Sequence, residues 1–170
     1  MFTKAFYFVA ILSVFPLCAR SEDQDGLSLG LECISEPFVL EGDIKIRMML
    51  RNSGSKTVLG VTNGLYEDFL FELKSPNGED LKFNKATQLA IRADRLVGST
   101  REFILKRKES DITTVDLGKL FDISKEGVYS LKVTRKLQLG DGGKDGVINI
   151  ESKVIKVVIG KTIQARIEKK

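Results

Sequence analysis

The sequence predicts an all-β fold, a sandwich of about seven to nine antiparallel strands. Three observations lead to this prediction. Apolar and polar residues alternate over many short segments, which is typical of strands with one buried face. Turn-forming residues separate these segments, as in Pro76-Asn77-Gly78. The chain of 170 residues is long enough for one domain with a single core.

Each predicted strand has an apolar face made of every second residue. In chain order these faces are Leu27, Leu29, Leu31 and Cys33; Ile44, Ile46, Met48 and Leu50; Phe69, Phe71 and Leu73; Leu81 and Phe83; Phe103 and Leu105; Tyr129, Leu131 and Val133; and Ile155, Val157 and Ile159. Cys33 ends the first face. We therefore expect a thiol that packs in the core, and not a nucleophile or a dimerising cysteine.

One segment breaks the alternation. Leu117, Leu120 and Phe121 are spaced by three and four residues, which predicts one short helical turn near 117–122.

The residues after this turn predict an immunoglobulin-like sandwich. In such sandwiches the corner into the penultimate strand often carries a tyrosine whose hydroxyl bonds to backbone a few residues upstream. Tyr129, which follows Gly127, occupies such a position, and Leu131 falls where antibody domains have their second core cysteine. The chain has no tryptophan, so aliphatic packing is expected to hold the sandwich together.

Residues 49–81 and 121–137 carry a family resemblance. Their order is a strand, Asn-x-x-x-Lys at a turn, an aromatic strand, a glycine hairpin and a late Gly-x-Tyr strand. This order resembles immunoglobulin-like domains of secreted bacterial proteins, and it is similar in layout to the bacterial proteinase-inhibitor family first described as intracellular. The resemblance covers residues 44–159 and implies the fold. It carries over no inhibitory residue.

Residues 1–21 are predicted to be a signal peptide. Lys4 precedes an apolar run from Ala5 to Leu17, and the small residues Ala19 and Ser21 suit cleavage after position 21. The run is too short for a membrane-spanning helix, although an uncleaved anchor is a second reading. A third is lipidation of Cys18 in the sequence FPLC, as in bacterial lipoproteins. A secreted or periplasmic protein is expected, or a lipoprotein, with no transmembrane segment after signal removal.

The positive charge is concentrated at the C-terminus. The chain has 27 basic and 23 acidic residues. Residues 161–170, KTIQARIEKK, form a basic tail after the predicted domain of residues 22–160, and the two signs balance over residues 20–160. A nucleic-acid-binding domain is not expected, because it needs clustered charge on one face. Docking of the tail to an anionic surface is an alternative to a solvated terminus.

The glycine-rich stretch at 140–146, GDGGKDG, has two interpretations. Asp141 and Asp145 are weak candidates for a calcium loop, since Gly146 falls at the sixth position. Position 12 is Ser152, where such a loop needs a bidentate glutamate. The preferred interpretation is a turn between the last two strands, for which glycine supplies positive φ.

The residue types argue against catalysis. The chain has no histidine, which removes the usual general base and the commonest metal ligand. Glu67 and Asp68 are adjacent and would point to opposite faces of a strand, both solvated. No enzyme activity, cofactor or metal is expected.

The expected function is that of a secreted, non-catalytic immunoglobulin-like module, which binds an unknown protein or envelope component or serves as a structural part of the envelope. A peptidase inhibitor acting through a surface loop is the alternative. Loops usually carry such binding, and the candidate loops are 52–57, 61–68, 93–100 and 140–146.

Overall fold

The computed structural model describes residues 26–34, 37–97, 100–140 and 146–160. Within these ranges the chain forms ten strands and three helices. The strands are β1 (Leu27–Cys33), β2 (Phe38–Val39), β3 (Lys45–Asn52), β4 (Val58–Thr62), β5 (Phe69–Lys74), β6 (Arg101–Leu105), β7 (Ser110–Asp116), β8 (Gly127–Leu139), β9 (Gly146–Glu151) and β10 (Ile155–Gly160). The helices are α1 (Leu65–Asp68), α2 (Lys85–Val97) and α3 (Leu117–Leu120).

A small antiparallel sheet, in the order β1-β3-β7, forms one layer of the sandwich. The register places Leu29 opposite Leu50, and Ile46 opposite Val115. All four side chains are buried. Since residues on one face of a strand recur with period two, these pairs define the face of the small sheet that points into the core.

A large sheet forms the other layer, and the 13-residue strand β8 organises it. Its strand order is β2-β10-β8-β4-β6, and β5 and β9 also pair with β8. Along one edge of β8 lie β10 and then β9; along the other lie β5 and then β4. The segments β4–β5 and β9–β10 are therefore two long strands, each interrupted once, the first by α1.

The strand order is that of an immunoglobulin-like sandwich. β1, β3 and β7 take the places of strands A, B and E, and β4–β5, β8 and β9–β10 take those of C, F and G. β6, beside β4, corresponds to strand C′. Between β6 and β7 lie only four residues, so no strand occupies position D and the small sheet ends at β7.

The two sheets enclose the core that the alternation predicts. The inward residues of β1, β3, β5, β8 and β10 are buried, and they form one continuous hydrophobic cluster. Cys33 lies on the predicted face but is half-buried, because it sits at the end of β1, where it packs against the rim of that cluster. The all-β class and the helical turn at Leu117–Leu120 are confirmed.

An ion pair between a buried arginine and a partly exposed aspartate joins the two sheets. The side chain of Arg135, on β8, points into the core and is only 4% exposed. Its Nη1 donates to Asp111 Oδ2 on β7 of the opposite sheet at 2.5 Å. The guanidinium carbon lies 5.0 Å from the ring centre of Phe69 and 5.1 Å from that of Phe103. The link between sheets that antibody domains make with a disulfide is here electrostatic.

Three sequence-based assignments need correction. The strand predicted at Leu81 and Phe83 is absent. In its place the segment forms two isolated bridges, one between Asp80 and Lys74 and one between Phe83 and Phe121. The sheets are not wholly antiparallel, since β2 pairs parallel with β10. The stretch at 140–146 connects β8 to β9 and not the last two strands, because a break at residues 152–154 separates β9 from β10.

The largest element that the sequence analysis missed is α2. Residues 93–97, assigned to a candidate loop, belong to this 13-residue helix. Asn84 caps its start, since its Oδ1 accepts from the backbone N–H of Thr87 at 2.8 Å. Asn84 and Thr87 also donate to the carbonyl of Lys119 in α3, at 2.9 and 3.0 Å. An asparagine before a run of good helix formers is the signal that would have predicted the helix.

Candidate functional site

The predicted corner residues have structural contacts. The Tyr129 hydroxyl donates to the backbone carbonyl of Lys125 at 2.7 Å, which is the type of bond that the sequence predicts. Leu131 is fully buried. Gly127 has a φ of 139°, and a β-carbon there would lie 2.5 Å from Cγ of Pro76. These three residues therefore shape the entry into β8 and leave no reactive group exposed.

Replacing Tyr129 by phenylalanine is expected to lower the free energy of unfolding by about 1 kcal/mol, the usual net contribution of one hydrogen bond. The ring is buried and stays in place, so only the bond to Lys125 is lost. Urea denaturation of the two proteins at pH 7 measures the difference. An unchanged midpoint would contradict the role of this hydroxyl.

The same variant predicts a difference at alkaline pH. Burial raises the pKa of Tyr129. Because the folded pKa lies above the unfolded one, the stabilisation is complete below the unfolded pKa, about 10. It is lost as pH rises through the folded value. The stability difference between wild type and Tyr129→Phe should therefore shrink above pH 10, as followed by urea denaturation across pH.

The candidate loop at 52–57 is held by its first residue. Asn52 is buried, and its Nδ2 donates to the carbonyls of Lys56 at 2.8 Å and Leu105 at 3.0 Å. Its Oδ1 accepts from the N–H of Gly54 at 3.0 Å. The Asn-x-x-x-Lys pattern therefore has a structural cause here: the amide closes the turn after β3 and ties it to β6.

The glycine-rich stretch begins and ends with turn geometry. Gly140 and Gly146 have positive φ angles of 82° and 107°, as expected for glycines of a turn between antiparallel strands. Asp141 and Asp145 lie outside the described residues, as does Cys18. Within the described ranges, histidine, cysteine and carboxylate side chains form no group of three that could hold a metal ion.

A groove of about 410 Å³ lies on the outer face of the large sheet. The floor is formed by outward residues of β5, β8 and β9, and α1 forms one wall. The floor residues are Leu70, Glu72, Thr134, Lys136, Asn149 and Glu151, and the wall residues are Tyr66, Glu67, Asp68 and Phe69. The register aligns Leu70 with Thr134 and Thr134 with Glu151, so these three form one row across the floor.

Asp68 fixes the wall of this groove. Its carboxylate is buried and accepts from the Thr62 hydroxyl. It also accepts from the backbone N–H of Asn63, at 3.0 and 3.1 Å. The assignment of Glu67 and Asp68 to a strand with both side chains solvated is therefore wrong. Both residues lie in α1, and only Glu67 is exposed.

The floor of the groove carries charges of both signs. Lys132, opposite Glu72 in the register, also makes a 2.6 Å ion pair with Glu151. The pKa of Lys132 is raised, chiefly because Glu151 accepts a hydrogen bond from its ammonium group. Lys136 lies beside them, opposite Asn149. Near this charged row, Leu70 is 59% exposed and Tyr66 is half-buried.

Seven of the ten residues that line the groove are polar or charged, so it differs from small-molecule sites, whose lining is predominantly apolar. The sequence analysis missed the groove, because it placed residues 61–68 in a candidate loop and Glu67 and Asp68 on a strand. Unlike α3, the helix α1 (LYED) contains no two apolar residues spaced by three or four that would predict a helical turn.

Comparison with known proteins gives no family: no protein-family model matches the chain, and no curated protein matches it. Of the helices in the described part of the chain, none has both the length and the apolar content that crossing a bilayer requires.

Proposed function

We propose that this chain is an exported, non-catalytic immunoglobulin-like module, and that it binds another macromolecule through the groove beside α1. The observation that carries the proposal is the composition of this groove, in which the exposed Leu70 and the half-buried Tyr66 lie next to Lys136, Glu72 and Asn149. Interfaces typically combine an apolar or aromatic centre with such a polar rim.

The use of the buried polar groups supports this proposal. The side chains of Asn52, Asp68 and Arg135 are buried, and each bonds to backbone or to a side chain of a neighbouring element. These contacts stabilise the scaffold. The exposed side chains of Leu70, Lys136 and Asn149 in the groove make no hydrogen bond or ion pair among the described residues and are available to a partner, while the scaffold holds them in place.

Substitution in the groove tests the proposal. The purified protein, immobilised, should retain a partner from the extracellular or envelope fraction of its source. The double variant Leu70→Glu with Lys136→Glu should retain at least tenfold less of this partner. Leu70→Glu brings a charge into the apolar part of the contact, and Lys136→Glu reverses a charge at its polar part. Surface plasmon resonance with the identified partner gives the change in affinity.

The matched control is Val158→Glu. Val158 is 56% exposed on β10 of the same sheet and lies outside the groove lining. Its substitution should leave binding unchanged. Equal loss in both variants, or a partner retained by both, would contradict the groove as the site. Inhibition of a peptidase that survives the groove substitutions would favour the loop-inhibitor alternative.

A further inference from the structure

The small sheet has an open edge along β7. β7 pairs with β3 on one side and is the last strand of its sheet. The bonds from Asn52 N to Glu109 O and from Leu117 N to Ile44 O fix which residues face β3. These are the odd-numbered positions, because antiparallel pairs alternate. The N–H and C=O groups of Ser110, Ile112 and Thr114 therefore point to the open side.

Prolines, lysines, bulges and very short strands, which usually block pairing with another chain, are absent from this edge, and the one such device present is the inward-pointing charge of Asp111. The sequence of β7, SDITTVD, is rich in β-branched residues that favour strand pairing. Ile112 is 56% exposed, and Ser110 and Thr114 are exposed as well. The one charge between them, on Asp111, is already paired with Arg135 in the core.

The edges at β1, β2 and β6 differ. β2 has only two residues, and β1 is bridged to Ser152 through Leu29. β6 begins with Arg101 and Glu102, both exposed. The open edge of β7 is also where strand D of an immunoglobulin sandwich would lie, and the four residues between β6 and β7 form no such strand.

We propose that β7 pairs with β7 of a second copy of this chain, antiparallel about a two-fold axis at Ile112, so that two small sheets join into one of six strands. This register is self-complementary. Ile112 meets its own equivalent at the axis, and Ser110 lies opposite Thr114. Apolar and hydroxyl pairs of this kind stabilise neighbouring strands.

The charges around the strand suit the same register. No charged residue lies opposite a like charge between positions 110 and 114. The segment before the strand, Lys106-Arg107-Lys108-Glu109, is net basic, and the strand ends at Asp116. Antiparallel pairing places the basic segment of one copy beside the Asp116 end of the other. Among the described residues Asp116 is paired with Lys119 at 3.8 Å, and its Oδ1 also accepts from the backbone N–H groups of Ile44 and Gly118.

Analytical ultracentrifugation of the purified protein tests the proposal. The wild type should form a dimer that dissociates on dilution. Ile112→Lys should weaken dimerisation at least tenfold, because it places two like charges opposite each other at the axis. The control is Ile104→Lys on the edge strand β6. Ile104 is 59% exposed, so its substitution is matched for exposure and should leave the dimer intact.

Two further measurements make the test specific for this edge. Thr114→Pro removes an edge N–H that the fold does not use, so it should give a folded monomer. Hydrogen exchange by NMR should show concentration-dependent protection of the Ile112 and Thr114 amides. The Thr113 amide, which is paired with β3, should not depend on concentration. A monomer at all concentrations up to roughly 1 mM, the weak end of specific association, would overturn the proposal. So would a dimer that only Ile104→Lys disrupts.

Discussion

Replacing Asp111 by alanine is expected to lower the free energy of unfolding by about 3 kcal/mol, the low end of what removing one partner of a buried ion pair costs. The reason is that the Arg135 side chain, only 4% exposed, would keep its charge in the core without a carboxylate. Its Nε already has no hydrogen-bond partner among the described residues. We choose the low end because Asp111 itself is 36% exposed. Equilibrium urea denaturation measures the loss.

Two comparisons make this prediction specific. Arg47→Met breaks the ion pair between Arg47 and Glu32. Because both of these side chains are 38% exposed, the substitution should change the free energy of unfolding by less than about 1 kcal/mol. The double variant Asp111→Leu with Arg135→Met should recover most of the lost stability, because it removes both charges and keeps apolar volume between Phe69 and Phe103. If the double variant were as unstable as Asp111→Ala, the buried charge would not be the cause.

Replacing Asn52 by alanine is expected to cost about 3 kcal/mol, since it leaves buried backbone groups without partners. The amide of Asn52 satisfies the carbonyls of Lys56 and Leu105, and its oxygen accepts from Gly54. The loss should appear in thermal and urea unfolding alike.

The control is Asn149→Ala, in which an exposed amide on the groove floor is removed. Surface changes of this type alter stability by about 0.5 kcal/mol or less. A similarly small effect at Asn52 would mean that the turn after β3 does not need its side chain. Because both variants remove the same amide group, a difference between their free energies of unfolding reports the burial and the hydrogen bonds of Asn52.

The strands could be predicted because their signal is local. Every second residue of β3, from Ile46 to Leu50, is apolar, and burial of that face follows directly from the period of a strand. Tyr129 was predictable for a similar reason, because its position relative to Gly127 and the start of β8 can be read within a few residues.

The inter-sheet ion pair could not be predicted in the same way. Alternation does place Arg135 on the inward face of β8, two residues after Val133, but an arginine is normally assigned to the surface. Only the fold brings Asp111 across the sandwich to neutralise it, from 24 residues earlier in the chain. The groove depends on a similar long-range condition, since its floor combines strands β5 and β9, which are separated by α2 and four other elements.

The central position of β8 has a consequence for the order in which the chain can fold. β4, β5, β9 and β10 all hydrogen-bond to this one strand. β1, β3 and β7 have been synthesised by residue 116, whereas β8 begins only at residue 127. An emerging chain can therefore assemble the small sheet and the β4–β6 pair early, while β5 waits for a partner that begins about fifty residues after it. The pairing of β5, β9 and β10 in the large sheet must therefore follow the synthesis of β8.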